Sequence, residues 1–333
     1  MSHKPVATVP GMFCTFQTYA QVMDELQSKV EEWLSKQGFP LEFRVARTLN
    51  GVGLPSFQGR YVRDPQSDEL RETDVISSLH HESRDILCRT SVVVECKWSR
   101  DRPWVLFTGN DIPTPEAQMV QTIASPFGEG VLWHASSDTL FQNLFEWRRH
   151  VRFAFGGRRA LGSNDNDQFY AAVQGVIGAA VSLAARDDLQ TKSKASDSRM
   201  FAHVVYPVVV IDAGLFEAYL DGTELRTRRI EKGTVLWHGY ESRSLPVAVD
   251  IVTVEAFDKY AAQLSTHCQE MVANLQNPAG EVRFALQSGI RSKLFKQHRP
   301  SVPVPQILKP VMTGFEWGYV DQNDPGENAA VSK

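Results

Sequence analysis

The chain has 333 residues, a formal net charge of −4 at pH 7, and hydrophobic residues at 42% of its positions. This length and apolar content are sufficient for one large domain or two small ones with a substantial core. The balance of charges argues against a protein that binds nucleic acid through its overall charge, so such binding would require a local basic surface.

The cysteines and the apolar segments indicate the compartment. Cys14, Cys88, Cys96 and Cys268 are scattered without C-x-x-C spacing, which argues against a structural zinc site and a disulfide framework. No charged N-terminal region precedes an apolar run, and no uninterrupted apolar stretch reaches spanning length. We therefore expect a cytoplasmic protein without a membrane segment.

Phosphate-loop and nucleophile-elbow motifs are also absent from the sequence, which disfavours an NTPase or an α/β-hydrolase.

Two helices are predicted near the N-terminus. Residues 18–36 carry apolar side chains at spacings of three and four, which is typical of an amphipathic helix. Gly38 ends this helix, and Pro40 opens a second one, because its missing N–H costs nothing in a first turn. The second helix carries Glu42. This residue is either a solvated acid favoured by the helix dipole or a ligand that reaches the edge of a sheet.

Three strands are predicted next, at residues 55–63, 71–78 and 91–98. The connection between the second and third contains His80 and His81. We interpret these adjacent histidines as exposed loop residues rather than as a metal site.

The third strand has opposite charges two residues apart. Side chains alternate along a strand, so Glu95 and Lys97 point the same way, and Cys96 points the other way. A buried charge is costly unless it is paired or bound to metal. Taken alone, Glu95 and Lys97 are most simply interpreted as a structural ion pair. However, Asp74 on the preceding strand can lie beside Glu95. Two carboxylates and an ammonium at the end of a sheet would suit a hard divalent cation.

This order of residues, a helical Glu42, then Asp74, then Glu95-x-Lys97, resembles the PD-(D/E)xK or restriction-endonuclease-like nuclease superfamily. The resemblance covers roughly residues 26–212. It implies an α/β fold with a restriction-endonuclease-like core, in which an antiparallel meander, a crossover helix and a parallel strand form a mixed β-sheet flanked by helices. We expect insertions in this core and a C-terminal β/α extension.

The resemblance also assigns roles within the site. It implies that Mg²⁺ or Mn²⁺ is held by Asp74, Glu95, the carbonyl of Cys96 and Glu42, and that Lys97 orients or helps to deprotonate the attacking water. Asp74, Glu95, Lys97 and Glu42 are therefore the expected catalytic residues. Thr73 stands where the name of the superfamily has proline, which leaves the metal chemistry intact.

The segment from about residue 100 to 165 is predicted to be an insertion between the third strand and the crossover helix. Its arginines alternate with aromatic and glycine residues, a composition that suits phosphate contact and base stacking. A solvated loop with a few buried aromatic residues is the alternative. The candidate nucleic-acid-binding residues are Arg100, Arg102, Arg148, Arg149, Arg152, Arg158 and Arg159.

The crossover helix is predicted at residues 169–186, with Gln174 either as a satisfied core amide or as a neighbour of the site. A polar, mobile connection at 187–198 then leads to a buried strand at 204–212. In that strand Pro207 removes one hydrogen-bond donor and suggests a sheet edge or a bulge. Asp212 is expected to cap a turn at 213–220.

The remaining sequence predicts a hairpin from 225–229 and 233–237, a strand at 247–254 and a helix at 255–275. The resulting domain boundaries are 1–215 for the core with its insertion, 216–310 for a C-terminal α/β extension packed on it, and 311–333 for a partly disordered tail.

These features together predict a Mg²⁺-dependent phosphodiesterase that acts on nucleic acid, most simply a DNA endonuclease. Two cuts on a duplex would favour a homodimer. The alternative is a catalytically silent protein that kept the nuclease fold and binds nucleic acid or a protein partner.

Overall fold

The computed structural model describes residues 13–64, 68–83, 85–99, 102–109, 114–136, 138–148, 152–162, 168–192, 200–238, 246–289 and 305–309. The helices are α1 Phe13–Ser35, α2 Phe39–Gly51, α3 Pro115–Val120, α4 Pro126–Ala135, α5 Thr139–Leu144, α6 Gln168–Lys192, α7 Phe257–Asn274 and α8 Gln276–Ser288. The strands are β1 Ser56–Arg63, β2 Leu70–Ser83, β3 Ile86–Trp98, β4 Trp104–Thr108, β5 Ile123–Ala124, β6 Phe153–Arg159, β7 Met200–Asp212, β8 Leu215–Asp221, β9 Glu224–Ile230, β10 Lys232–Trp237 and β11 Val247–Thr253.

The fold is α/β, and these strands form one large mixed sheet flanked by helices. Its order is β1-β2-β3-β7-β11-β10-β6-β4-β8-β9, with the short β5 paired to β7. β1, β2 and β3 form an antiparallel meander. The chain returns through α6 to β7, which runs parallel to β3 from Ile86 beside Met200 to Trp98 beside Asp212. The predicted meander and its parallel fourth strand are therefore present.

Each face of the sheet has its own core, because alternate side chains of a strand point to opposite sides. Val208 and Val210 of β7 join the core beneath α2, α4, α7 and α8, and this side is called the α7 face. Val209 and Ile211 join the core beneath α6, and this side is called the α6 face. The central strands are covered on both sides, which is why they read as continuous runs of β-branched residues.

The helix α6 packs closely on its face of the sheet because both surfaces carry small residues. A Cβ atom added to Gly157 of β6 would lie 2.6 Å from the ring of Phe169 in α6 and 2.9 Å from the carbonyl oxygen of Val105. The segment Gln168–Ala185 is also long and apolar enough to cross a membrane by length and composition. Half of that segment is buried within this fold, as in a helix that packs against a sheet core.

The predicted loop that contains His80 and His81 is wrong. β2 continues to Ser83, and these histidines pair with Arg89 and Cys88 of β3. Ladder hydrogen bonds along the hairpin override the polar composition of this segment, because a polar residue can occupy a strand whose side chain faces solvent.

Pro207 does not mark a sheet edge, since β7 lies between β3 and β11. On the side away from β3, β7 pairs with β5 only up to Val205, and it pairs with β11 from Val208 onward. Pro207 therefore lies at the change of partner strand, where a missing backbone donor interrupts neither of these two ladders.

The C-terminal half differs from the predicted hairpin and turn. Residues 213–220 contain β8 rather than a turn, and β9 pairs with β8 instead of β10. β10 pairs with β11 on one side and with β6 on the other, so the C-terminal strands and those of the insertion share one sheet. α6 also extends to Lys192, further than predicted. The predicted tail at 311–333 lies outside the described residues.

We expect Gly157→Ala to lower the free energy of unfolding by about 1–3 kcal/mol, because the added methyl overlaps the Phe169 ring and a backbone oxygen. Gly156→Ala is the matched control, since its Cβ would make only an ordinary 4.0 Å contact with Phe107. Urea unfolding of both variants measures the difference. Equal midpoints for the two would contradict the packing described for α6.

Candidate active site

The β2–β3 ladder places Asp74 beside Glu95. Val75 pairs with Val94, and the same antiparallel register continued by one residue sets Asp74 opposite Glu95. The Oδ2 atom of Asp74 accepts a hydrogen bond from the backbone N–H of Cys96, with an N–O distance of 2.7 Å. Residues opposite each other in a ladder share a face, so both carboxylates lie on the α6 face at the end of this ladder.

Lys97 lies on the same face as Glu95, as predicted. Its Nζ donates a hydrogen bond to Glu95 Oε1 at 2.5 Å, and the two side chains are only 29% and 17% exposed. The pair is thus largely withdrawn from water, where a charge interaction is stronger than at the surface. The sequence expectation that the two charges contact each other is confirmed.

The pKa values show how burial and neighbouring charges act on Glu95, Asp74 and Lys97. Burial raises the pKa of Glu95, and the charge of Asp74 raises it further, against the opposing effect of Lys97. Burial also raises the pKa of Asp74, although the hydrogen bond from Cys96 opposes this. For Lys97, burial alone would lower the pKa, but the attraction of Glu95 and Asp74 outweighs burial and raises it. The ammonium therefore stays protonated beside the two acids.

Glu42 lies within electrostatic range of this pair. α2 begins at Phe39, and its buried residues Leu41 and Val45 pack the helix on the α7 face. Glu42, in the first turn of this helix, is partly exposed. Burial, followed by the charges of Asp74 and then of other neighbouring acids, raises the pKa of Glu42 to about 7. The structure thus brings the helical acid near the strand acids.

The backbone of α6 passes directly over the acids. A Cβ atom added to Gly175 would lie 4.0 Å from Glu95 Oε2. One turn further along, a Cβ atom at Gly178 would lie 3.6 Å from Asp64 Oδ2. The described hydrogen bond of Gln174 is donated by its Nε2 to the Tyr170 hydroxyl, at 2.7 Å, and not to these acids.

Sequence reasoning missed two features of the site. Arg71 Nε lies 2.8 Å from Asp64 Oδ2, and the charge of Arg71 also lowers the pKa of Glu95. Gly59 of β1 has φ +61° and occupies the register position opposite Asp74, between the pairs of Gln58 and Arg60. A lone glycine within a strand was the available signal, because glycine adopts positive φ without strain.

The oxygen atoms at this end of the sheet suit a hard cation. A residue's N–H and C=O point toward the same neighbouring strand, so the Cys96 carbonyl also faces the β2 side, beyond the last paired residues. Burial raises the pKa of the Cys96 thiol well above its usual value, which keeps it neutral. Within the described ranges, no three His, Cys, Asp or Glu side chains form a ready metal-binding group. Asp74, Glu95 and this carbonyl form a smaller set of oxygen donors, which fits Mg²⁺ or Mn²⁺.

Of the predicted basic residues that the structure describes, Arg158 and Arg159 lie in a strand away from the acids. Arg100 and Arg149 lie outside the described residues, as does the side chain of Arg148. Arg102 is half-buried, and the guanidinium of Arg152 lies 5.5 Å from the centre of the Tyr219 ring. Arg158 and Arg159 are both on β6, four positions from β3 in the sheet order, or about 19 Å at the usual strand spacing.

No family model, curated protein or solved structure matches this chain. Function must therefore be inferred from the residues of the site itself.

We expect Glu42→Gln to stabilise the metal-free protein at pH 8 but not at pH 4.5. The raised pKa means that the folded state resists ionisation, so Glu42 costs progressively more stability as the pH rises from its ordinary value of 4.5 to about 7. Solvent screening of this partly exposed group limits the expected gain to about 1 kcal/mol. Urea unfolding in EDTA at both pH values measures it.

Glu270→Gln on the exposed side of α7 is the control for this measurement, because it removes a carboxylate far from the acids. An equal gain from both substitutions, or none from Glu42→Gln at pH 8, would contradict the electrostatic environment described for Glu42.

Proposed function

We propose that this protein is a metal-dependent nuclease that hydrolyses phosphodiester bonds in nucleic acid, with DNA as the simplest substrate. The observation that carries the proposal is the hydrogen-bonded Glu95–Lys97 pair set beside Asp74 at the end of two adjacent strands. Partly buried acids with raised pKa values cost stability, and such groups cluster at functional sites. A hard cation would neutralise them, and a phosphate would complement the lysine.

The path of the chain supports the same proposal. The order α2, β1, β2, β3, α6, β7 is that of the PD-(D/E)xK core, with the acids on α2, β2 and β3. We propose a restriction-endonuclease-like core on this basis. β4 to β6 would then be its insertion, and β8 to β11 its C-terminal addition within the same sheet.

Each residue has a role that follows from its environment. Asp74, Glu95 and the Cys96 carbonyl would hold Mg²⁺ or Mn²⁺, which when bound polarises a phosphoryl oxygen and lowers the pKa of water. Lys97, whose raised pKa keeps it protonated, would donate a hydrogen bond to the phosphate and offset its growing negative charge. Glu42, with a pKa near 7, could accept or release a proton at the margin of the site near neutral pH.

We expect Asp74→Asn, Glu95→Gln and Lys97→Met each to reduce Mg²⁺- or Mn²⁺-dependent cleavage of plasmid and oligonucleotide DNA by at least about 100-fold. EDTA should abolish wild-type cleavage. Asp221→Asn is the control, since this exposed acid ends β8 near the far edge of the sheet. Circular dichroism verifies folding, and a metal-dependent rise in melting temperature should occur in the wild type but not in Asp74→Asn.

Full cleavage by any of the three site variants would overturn the assignment. Tight binding of nucleic acid without cleavage in either metal would instead favour a catalytically silent protein of the same fold.

A further inference from the structure

Among the described residues, four neighbouring strands of the sheet pack against a core on one side only. Trp104 and Leu106 of β4, Ala154 of β6 and Leu215 of β8 belong to the core beneath α6. In contrast, the core beneath α2, α4, α7 and α8 contains no residue of β4, β6, β8 or β9. The α7 face of these four strands therefore lies beyond the described helices that cover the rest of that side.

This uncovered face carries a row of side chains with an arginine at each end. Val105 of β4 pairs with Arg158 of β6 and with Phe216 of β8, and Phe216 pairs with Arg229 of β9. Directly paired residues share a face, so the row reads Arg158, Val105, Phe216, Arg229 across four strands. Both arginines are exposed. Three strand spacings separate them, or about 14 Å.

Two aromatic rings lie next to this row. Two positions along β4 from Val105, Phe107 stacks with Phe155 of β6, with ring centres 6.2 Å apart and an interplanar angle of 28°. Phe155 is 68% exposed and Phe107 is 36% exposed, which is unusual for large apolar side chains on a sheet. Phe107, Phe155, Arg158, Phe216 and Arg229 are called the platform below.

The charges of the hairpin β8–β9 are sorted between its two faces. Arg228 Nε lies 2.6 Å from Glu217 Oε1, and Arg226 lies 2.5 Å from Glu224, all on the α6 face. On the platform face, the described residues of β4, β6, β8 and β9 include no acid. The platform is thus a locally positive surface on a chain whose net charge is −4.

We propose that the platform binds single-stranded nucleic acid. Phe107 and Phe155 would stack on bases, and Arg158 and Arg229 would contact phosphates at the two ends of the row. Exposed aromatic rings on a positive surface are suited to single strands, because every unpaired base offers a face for stacking. The bases of a duplex are already stacked on each other. This extends the proposed nuclease function by naming the form of nucleic acid that the chain holds away from the acids, but the binding itself requires no cleavage.

The test is the fluorescence anisotropy of labelled oligo(dT), oligo(U) and a DNA duplex of equal length, measured in EDTA to prevent cleavage. We expect both single strands to bind more tightly than the duplex. Phe155→Ala should weaken single-strand binding roughly 5- to 100-fold, the range typical of one lost base stack. Arg158→Gln and Arg229→Gln should each reduce the slope of log K against log salt by about 0.7.

Arg226→Gln is the matched control, because it removes the same charge from the same strand as Arg229→Gln but on the opposite face. The proposal fails if the duplex binds as tightly as the single strands, if Phe155→Ala has no effect, or if Arg226→Gln reduces the salt slope as much as Arg229→Gln. If the wild type never cleaves nucleic acid but the platform variants lose single-strand binding, the nuclease proposal is wrong. The proposal that the platform binds single strands is then still supported.

A second, independent observation concerns α1. This 23-residue helix has large apolar side chains that are roughly half exposed. Met23 is 44% exposed, Leu26 51%, Val30 45% and Trp33 55%. Globular proteins seldom leave an apolar stripe of this length in water, so something else covers it.

The stripe follows the spacing of a coiled coil. Met23, Leu26, Val30 and Trp33 are separated by three, four and three residues, which are the a and d positions of a heptad. Valine at a with leucine at d favours two strands. The flanking charges pair within the helix, Lys29 with Glu25 at 2.7 Å and Lys36 with Glu32 at 2.6 Å. The e positions, Gln27 and Leu34, are uncharged, so in a parallel pair the g-position lysines Lys29 and Lys36 face no like charge.

We infer that the stripe binds the same stripe of a second copy of this chain. The seam is apolar and self-complementary, and α1 is more than three heptads long. Only residues 36–38 separate it from α2, which carries Glu42. Pairing through α1 would therefore hold two acid clusters in one assembly.

Sedimentation equilibrium of the full chain tests this inference, with a protomer mass of 37.4 kDa. We expect the wild type to sediment as a dimer at about 10 μM and Leu26→Asp as a monomer. Ser28→Asp is the control, since it places the same residue at the outward f position of the same helix. A monomeric wild type at about 100 μM, or a dimeric Leu26→Asp, would overturn the inference, and neither result bears on cleavage.

Discussion

The joint burial of Asp74 and Glu95 is the constraint on which the rest of the site depends. Strand pairing forces these carboxylates together on the α6 face, partly out of water, where like charges oppose each other strongly. The fold offsets this cost locally, with the Cys96 N–H on Asp74 and the Lys97 ammonium on Glu95. Two kinds of partner, a backbone dipole and a lysine, thus share one end of the sheet.

Acids and arginines are distributed unevenly over the sheet. Acids with raised pKa values lie beside β2 and β3, where Arg71 is also exposed, whereas the platform residues Arg158 and Arg229 lie on β6 and β9, away from these acids in the strand order. Counterion release depends on local rather than net charge. A nucleic acid bound at the proposed platform would lie away from the repulsion of these acids.

The strands β4 and β6, which lie in the predicted insertion, are structural parts of the sheet as well as carriers of arginine. β6 lies between β10 and β4, and β4 lies between β6 and β8. Two strands that precede α6 in the sequence are thus placed between strands that follow it. Part of the basic stretch found in the sequence forms strand β6 at Phe153–Arg159, not a solvated loop. One face of it packs against α6 through Ala154, and its other face presents Phe155 and Arg158.

The sequence by itself determined the local elements and the pairing of charges within them. Period-2 alternation fixes that Glu95 and Lys97 share a face, and the apolar spacing around Leu41 and Val45 sets which side of α2 is buried. Only the tertiary structure decided which strands are neighbours, because hydrogen-bond ladders between distant segments leave no period in the chain. That is why Pro207 suggested an edge yet lies in a central strand, and why β9 and β10, adjacent in sequence, pair with different strands. It is also why the exposure of Met23 and Phe155 became visible only in three dimensions: a sequence shows that a residue is apolar, but burial depends on what packs against it.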